Sequence, residues 1–183
     1  VGTNMGYNST PVDALDWLDP KADGRAISYF KAGIAAARAG LPYNLDNWGG
    51  YPKAKSRLLS AAQATDANLI AVTGDSHNAW AFDLIEDKRA AGVEFGGHSV
   101  TSPGIESVTR AEDRDKVAKA LVASSTELRW TDTSNRGYMH ISLSPAAATC
   151  EWIFMETVRT DSLQTKASHR MKVRPGRKML EPA

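Results

Sequence analysis

A mixed α and β domain, α/β in the broad sense (α+β), is what this 183-residue sequence predicts, on three observations. Two alanine-containing segments with helical character, 26–39 and 53–64, fall in the first part of the chain. An apolar run over residues 67–72 ends in Gly-Asp-Ser-His-Asn, the form of a buried strand delivering polar side chains to a turn. The last third switches to three β-like runs separated by turn residues.

Residues 1–24 alternate turn signals (Gly2, Gly6, Pro11, Pro20, Gly24) with short apolar pieces and read as mostly loop. Residues 26–39, AISYFKAGIAAARA, have helical character and stop at Gly40, a C-terminal cap. LPYNLDNWGGYP, 41–52, is a loop dense in aromatic and hydrogen-bonding residues, the composition of a binding loop. A helix over 53–64 puts Leu58, Leu59 and Ala62 on one side. After the strand and GDSHN turn, NAWAFDLIEDKRAAG (78–92) reads as a short helix or loop. VEFGGHSVTSPG (93–104) is a strand entering a second turn-rich cluster. A charged amphipathic helix spans roughly 112–124, with Val117, Leu121 and Val122 on one face. In 137–145, Tyr138, His140, Ser142 and Ser144 alternate with Met139, Ile141 and Leu143, the pattern of a strand with one buried face. The tail over 166–178 carries six Lys/Arg and no acid, and reads as a solvated or surface-docking segment.

Hydrophobic residues at 42% and charged residues at 23% describe an ordinary globular chain of one domain. A net charge of +1 gives no global drive toward nucleic acid or a membrane surface. No apolar run approaches the roughly 18 residues that would span a bilayer. The single Cys150 excludes an internal disulfide. The chain opens on VGTNMGYNSTP, which reads as the middle of something; the expectation is a piece of a longer protein.

The GDSH turn has two chemical readings. A serine esterase would use Ser76 with a histidine base oriented by an acid three residues earlier. The residues three before His77, His98, His140 and His169 are Gly74, Phe95, Gly137 and Lys166, so that pair is missing. Alternatively, Asp75 and His77, two apart on a strand-end turn, present a carboxylate and an imidazole to one cleft and hold metal ions. A third reading, of a different class, is a non-catalytic metal- or phosphate-binding domain.

Five segments, LDNWGGYPKAKSRLL, LIAVTGDSHNAWAFDL, GVEFGGHSVTSPG, RWTDTSNRGYMHISLSP and TCEWIFMETV, occur in this order over most of residues 41–160. Together they resemble the PhoD-like alkaline phosphatases/phosphodiesterases of the calcineurin-like metallophosphoesterase superfamily, and KASHRMKVRPGRKML looks like that family's C-terminal end. The resemblance implies part of a four-layer β-sandwich flanked by helices, with metals at the strand ends. It implies hydrolysis of phosphate mono- and diesters by a metal-activated hydroxide, with iron(III) (Fe3+) and calcium (Ca2+) as cofactors. Asp75 and His77 take the place of the superfamily's Gly-His-x-His ligands and become both catalytic and metal-binding residues. Cys150 lies in a C-terminal strand and is not the family's metal-binding cysteine. Gly49 stands where that family commonly has Asp, and Lys55 where it has Arg. The superfamily's earlier metal motifs do not occur in residues 1–73, which contain no histidine. Residues 1–183 are accordingly expected to be the C-terminal portion of one metallophosphoesterase catalytic domain, with its N-terminal part missing. Alone, the chain is expected to be inactive, and to aggregate or to bind a partner supplying the rest. Export to the periplasm or beyond is implied by the resemblance. The partners expected are a phosphate ester substrate and the missing N-terminal part; nucleic acid is expected only as substrate.

Substrate-binding candidates are His98, on a Gly-rich turn after a strand, and Trp48 and Tyr51, beside Asp46, as an aromatic wall at the mouth. Arg136 is the last, as a bidentate phosphate partner. The bland readings are turn hydrogen bonding for His98, loop packing for Trp48 and Tyr51, and a turn or salt-bridge role for Arg136. His140 is expected to be structural.

Overall fold

The protein, as a computed structural model, is described over residues 4–6, 12–41 and 44–183. The loop readings at 1–3, 7–11 and 42–43 lie outside these. Two four-stranded sheets face each other. The first runs in the order β1 (Leu69–Thr73), β3 (Arg89–Gly96), β2 (Ala79–Glu86), β4 (Leu128–Asp132), with β1 and β3 parallel and the other pairs antiparallel. The second is antiparallel: β5 (Gly137–Leu143), β6 (Ala148–Met155), β7 (Thr165–Val173), β8 (Glu181–Pro182). This is the mixed α/β sandwich expected from the sequence.

Alternation along the strands builds the layers. Ala79 and Ala81 of β2 and Val93 and Phe95 of β3 face inward against Cys150, Trp152 and Phe154 of β6 and Met171 and Val173 of β7. Trp152 is fully buried, and its indole N–H donates to the Gly96 carbonyl at 2.8 Å, tying one sheet to the other. On the opposite side of β2, Trp80, Phe82 and Leu84 pack against Leu59 of α2 (Pro52–Ala64) and Val117 and Leu121 of α3 (Arg114–Ser124). A third cluster, Phe30, Ile34 and Val108, seats α1 (Gly24–Arg38), whose N-terminus is capped by the Asp23 carboxylate. Tyr138, His140 and Ser142 are exposed on the outer face of β5. Cys150 is packed in the inter-sheet core, where burial pushes its thiol pKa up. No helix among the described residues is long and apolar enough to cross a membrane.

Two expectations are corrected. Residues 78–92 form neither helix nor loop but β2 and the start of β3, joined by Asp87 and Lys88 with φ of 49° and 62°. Positive φ at both central residues matches a type I′ hairpin turn, achieved without the usual Asn or Gly. Because β2 lies between two strands and two packed layers, six successive residues are buried and the period-2 signal vanishes. The basic tail is likewise not merely solvated: residues 166–173 belong to β7, paired along β6 with Lys166, Arg170 and Lys172 on the open face, and Lys178 pairs with Asp66.

The buried carboxylate of Glu94 on β3 joins the sheet to residues 4–6. It accepts from Asn4 Nδ2 (2.6 Å), Thr73 Oγ1 (2.5 Å), Met5 N (2.9 Å) and Gly6 N (2.6 Å). Burial raises its pKa, and these four donors oppose the rise. Gly6 crosses the Phe82 ring so closely that a Cβ would lie 2.2 Å from it. Replacing the carboxylate strands several donors in a dry site. Glu94→Leu is expected to destabilise the protein by about 3 kcal/mol, read by urea unfolding, with residues 4–6 released first in hydrogen exchange.

Candidate functional site

The β1–β2 turn is a strained, heavily pinned piece of backbone. Asp75 and His77 both lie in the left-handed region, at φ 68° and 61°, where a side chain other than glycine costs on the order of 1–2 kcal/mol. The surroundings hold them there. Ser76 N donates to Gly74 O at 2.8 Å, Asn78 Nδ2 to Ser76 O at 2.7 Å, and Arg136 Nη1 to His77 O at 2.8 Å. Asn78 Oδ1 also accepts from Ile105 N at 3.2 Å, joining the turn to the 97–110 loop. Gly104 of that loop presses against the turn: a Cβ there would lie 2.4 Å from Asn78 Oδ1 and 2.9 Å from His77 O.

The side chains of Asp75 and His77 are exposed. His77 Nδ1 lies 2.9 Å from the Pro103 carbonyl. A carbonyl only accepts, so Nδ1 carries a proton, and in the neutral ring the lone pair is on Nε2. The imidazole is thereby fixed in the orientation and tautomer of a nitrogen donor, with a carboxylate two residues away. Ser76 differs. Its hydroxyl accepts from the Trp80 indole at 2.6 Å, and no histidine nitrogen bonds to it among the described residues.

A cleft of about 390 Å³ opens beside the turn, between α1 and the first sheet. Asp75 and Ser76 line it, together with Asn44, Asn47, Tyr29 and Ile105. His77 is not among the lining residues, so the turn presents its carboxylate but not its imidazole to this cleft, and the other residues singled out in the sequence also lie elsewhere. Trp48 is half-buried and packs against the helix-side core, while Tyr51 is exposed at the start of α2; neither lines the cleft. The aromatic wall expected there is supplied instead by Tyr29, Phe30, Trp80 and Phe82. Asp46 is exposed on the same loop, outside the lining. His98 is buried, stacked edge-on to Phe154, with Nε2 held by the Ile153 carbonyl at 3.2 Å.

Arg136 is 7% exposed beneath the turn rather than open to a phosphate. It pairs with Glu106 and donates to Asn135 O (2.7 Å) as well as to His77 O. Its position corrects the expectation of a free bidentate ligand: it is a clamp under the β1–β2 turn. Asn78, Glu106, Asn44 and Asn47 were not singled out by sequence reasoning. Their only signal was adjacency, Asn78 inside GDSHN and the other two asparagines inside YNLDNWGG.

A helix-flanked double sheet with an exposed carboxylate and an oriented imidazole on a strand-end turn defines an α/β sandwich with a cleft opening beside that turn. More narrowly, the chain belongs to the PhoD-like phosphatase family, whose sequence model matches residues 10–152. It is 30% identical over 109 residues to alkaline phosphatase D of Bacillus subtilis (strain 168), covering 56% of this chain and 18% of that protein. A solved structure described as "Structure of PhoD" shares the fold, with a TM-score of 0.58 at 20% identity, over 75% of this chain and 26% of that one. The chain therefore spans about a fifth to a quarter of these relatives' length.

Two outcomes follow from this geometry. Asp75→Gly releases the left-handed strain of a side chain that makes no hydrogen bond to a described residue. It should raise unfolding free energy by about 1 kcal/mol in denaturant melts, against the usual direction of substitutions. The second concerns His98 and His169. Burial lowers both pKa values, and the nearby Asp132 opposes this in each case. Their unfolded forms bind protons first, so stability present above the ordinary histidine value is lost as pH falls below about 6.5. Unfolding free energy should decline on acidification through that range, and His98→Gln should flatten the decline.

Proposed function

We propose that this chain is the part of a phosphoric-ester hydrolase that carries two of its metal donors, acting on phosphate mono- and diesters. The observation that carries the reading is the turn itself: an exposed Asp75 carboxylate and a His77 ring whose proton is held on Nδ1 by Pro103, leaving Nε2 to donate. Membership in the PhoD-like phosphatase family supports phosphoester chemistry. Among the described residues no group of three or more His, Cys, Asp and Glu comes together to hold a metal ion. Asp75 and His77 are thus a partial ligand set, and the reading assigns the remaining donors to residues outside those described. A carboxylate oxygen and an imidazole nitrogen fit the iron(III) and calcium pair by donor chemistry. When bound, such ions supply charge neutralisation at the phosphoryl oxygens and a nucleophile near neutral pH.

The chain's own residues do the rest. Pro103 O fixes the imidazole; Arg136 and Asn78 hold the turn that carries both donors; the cleft beside Asp75 receives the ester. Ser76, committed to Trp80, contributes no nucleophile, so the serine-esterase alternative lacks its base as well as its orienting acid. Export is part of the same reading, drawn from the family.

The test uses the complete protein with 4-nitrophenyl phosphate and its bis-ester. Asp75→Asn and His77→Ala should each lower kcat/KM by about 100-fold or more, the scale at which perturbed metal shells lose activity. Ser76→Ala should retain turnover, and chelation should abolish it until iron and calcium are restored. Hydrolysis that survives chelation, or vanishes with Ser76→Ala, overturns the proposal. A protein that hydrolyses neither ester is instead the non-catalytic binding domain.

A further inference from the structure

The geometry points to a leaving-group site: we propose that the cleft seats the alcohol portion of the ester, and that this portion bears an uncharged planar aromatic ring with hydrogen-bond acceptors on its edge. The inference rests on the phosphoesterase reading and extends it from the bond cleaved to the group released.

Charge is the first argument. Asp75 is the only charged side chain lining the cleft among the described residues; no lysine, arginine or histidine joins it. A phosphoryl group deep in the cleft would meet a carboxylate and no cation. The phosphate therefore belongs at the turn, beside the two donors, and the body of the cleft takes the neutral part of the substrate.

Shape is the second. Ala26, Tyr29 and Phe30 are spaced i, i+3 and i+4, so they share one face of α1. On the sheet side, Trp80 and Phe82, stacked on each other at 5.9 Å and 23°, are buried rings whose edges reach the cleft, with Gly6 lying over Phe82. An apolar, largely aromatic lining around about 390 Å³ matches a flat ring better than a flexible polar chain.

The free polar groups are the third. Asn44 Oδ1 accepts from Asp46 N, and Asn47 Oδ1 from Gly49 N, both at 2.8 Å. The oxygens of both amides are therefore turned back into their own loop. Both carboxamide NH2 groups remain without a hydrogen bond to any described residue while their residues line the cleft. Two donors beside an aromatic wall select a ring that offers acceptors, such as carbonyl or nitro oxygens.

The test separates ring binding from turnover. In the complete protein with chelator present, thymidine should bind and shift the Asn44 and Asn47 side-chain amide resonances, and deoxyribose should not. Ala26→Phe, which fills the cleft, should weaken thymidine binding about tenfold, the scale of one lost aromatic contact; Tyr29→Ala, at a half-exposed helix position, is the second variant. With metals restored, the kcat/KM ratio of thymidine methyl phosphate over glycerol methyl phosphate should favour thymidine and fall about tenfold in the same variants. Equal binding of deoxyribose, or a ratio that neither variant changes, overturns the proposal while leaving ester hydrolysis standing. Ring binding without hydrolysis of either diester removes the phosphoesterase reading and upholds the ring site.

Discussion

The buried guanidinium of Arg136 ties together three separate backbone segments. It pairs with Glu106 of the 97–110 loop, donates to the carbonyl of His77 in the β1–β2 turn, and donates to the carbonyl of its neighbour Asn135. Arginine suits this task because its planar fork presents several donors at fixed angles and stays ionised when dry. Losing it would leave Glu106 without its partner and carbonyls unpaired in a nearly closed space, a disruption on the order of 3–5 kcal/mol. The β1–β2 turn is thus braced from beneath by a side chain that barely reaches the surface.

That clamp accounts for the otherwise unfavourable turn above it. Two non-glycine residues in the left-handed region would relax toward commoner conformations if the backbone between them were free. Asn78 grips Ser76 O from one side, Arg136 grips His77 O from below, and Gly104 closes the space above, where a Cβ would not fit. The result is a short chain segment whose backbone is fixed, so that the side chains of Asp75 and His77 leave it in set directions toward solvent. Glu94 plays the matching part on the adjoining strand, holding Asn4 and Gly6 at the edge of the same cleft.

How much of this could be read in the sequence depends on whether the signal was local. The β1 strand and its polar turn were legible because an apolar run met Gly-Asp-Ser-His within nine residues. The alternation in 137–143 was legible because β5 has one solvated face. The β2–β3 hairpin was not: its strands are buried on both sides, and its turn uses Asp87 and Lys88 instead of the residues that advertise positive φ. The roles of Arg136 and Glu94 were invisible for a different reason. Their partners are mostly backbone groups or residues about 20 to 90 positions away, and a backbone N–H carries no sequence label. Trp48 and Tyr51 drew notice as aromatics, whereas the cleft takes Asn44 and Asn47 from the same loop. Which of these face inward follows from the path of the loop, which composition does not encode.

The left-handed backbone at positions 75 and 77 also bears on descent. Glycine occupies that conformation without steric penalty, so it is the residue the turn would accept most readily. In related chains, glycine at either position above an intact Arg136–Glu106 pair would mark a lineage that kept the scaffold without these two side chains, a genetic fossil readable without any assay.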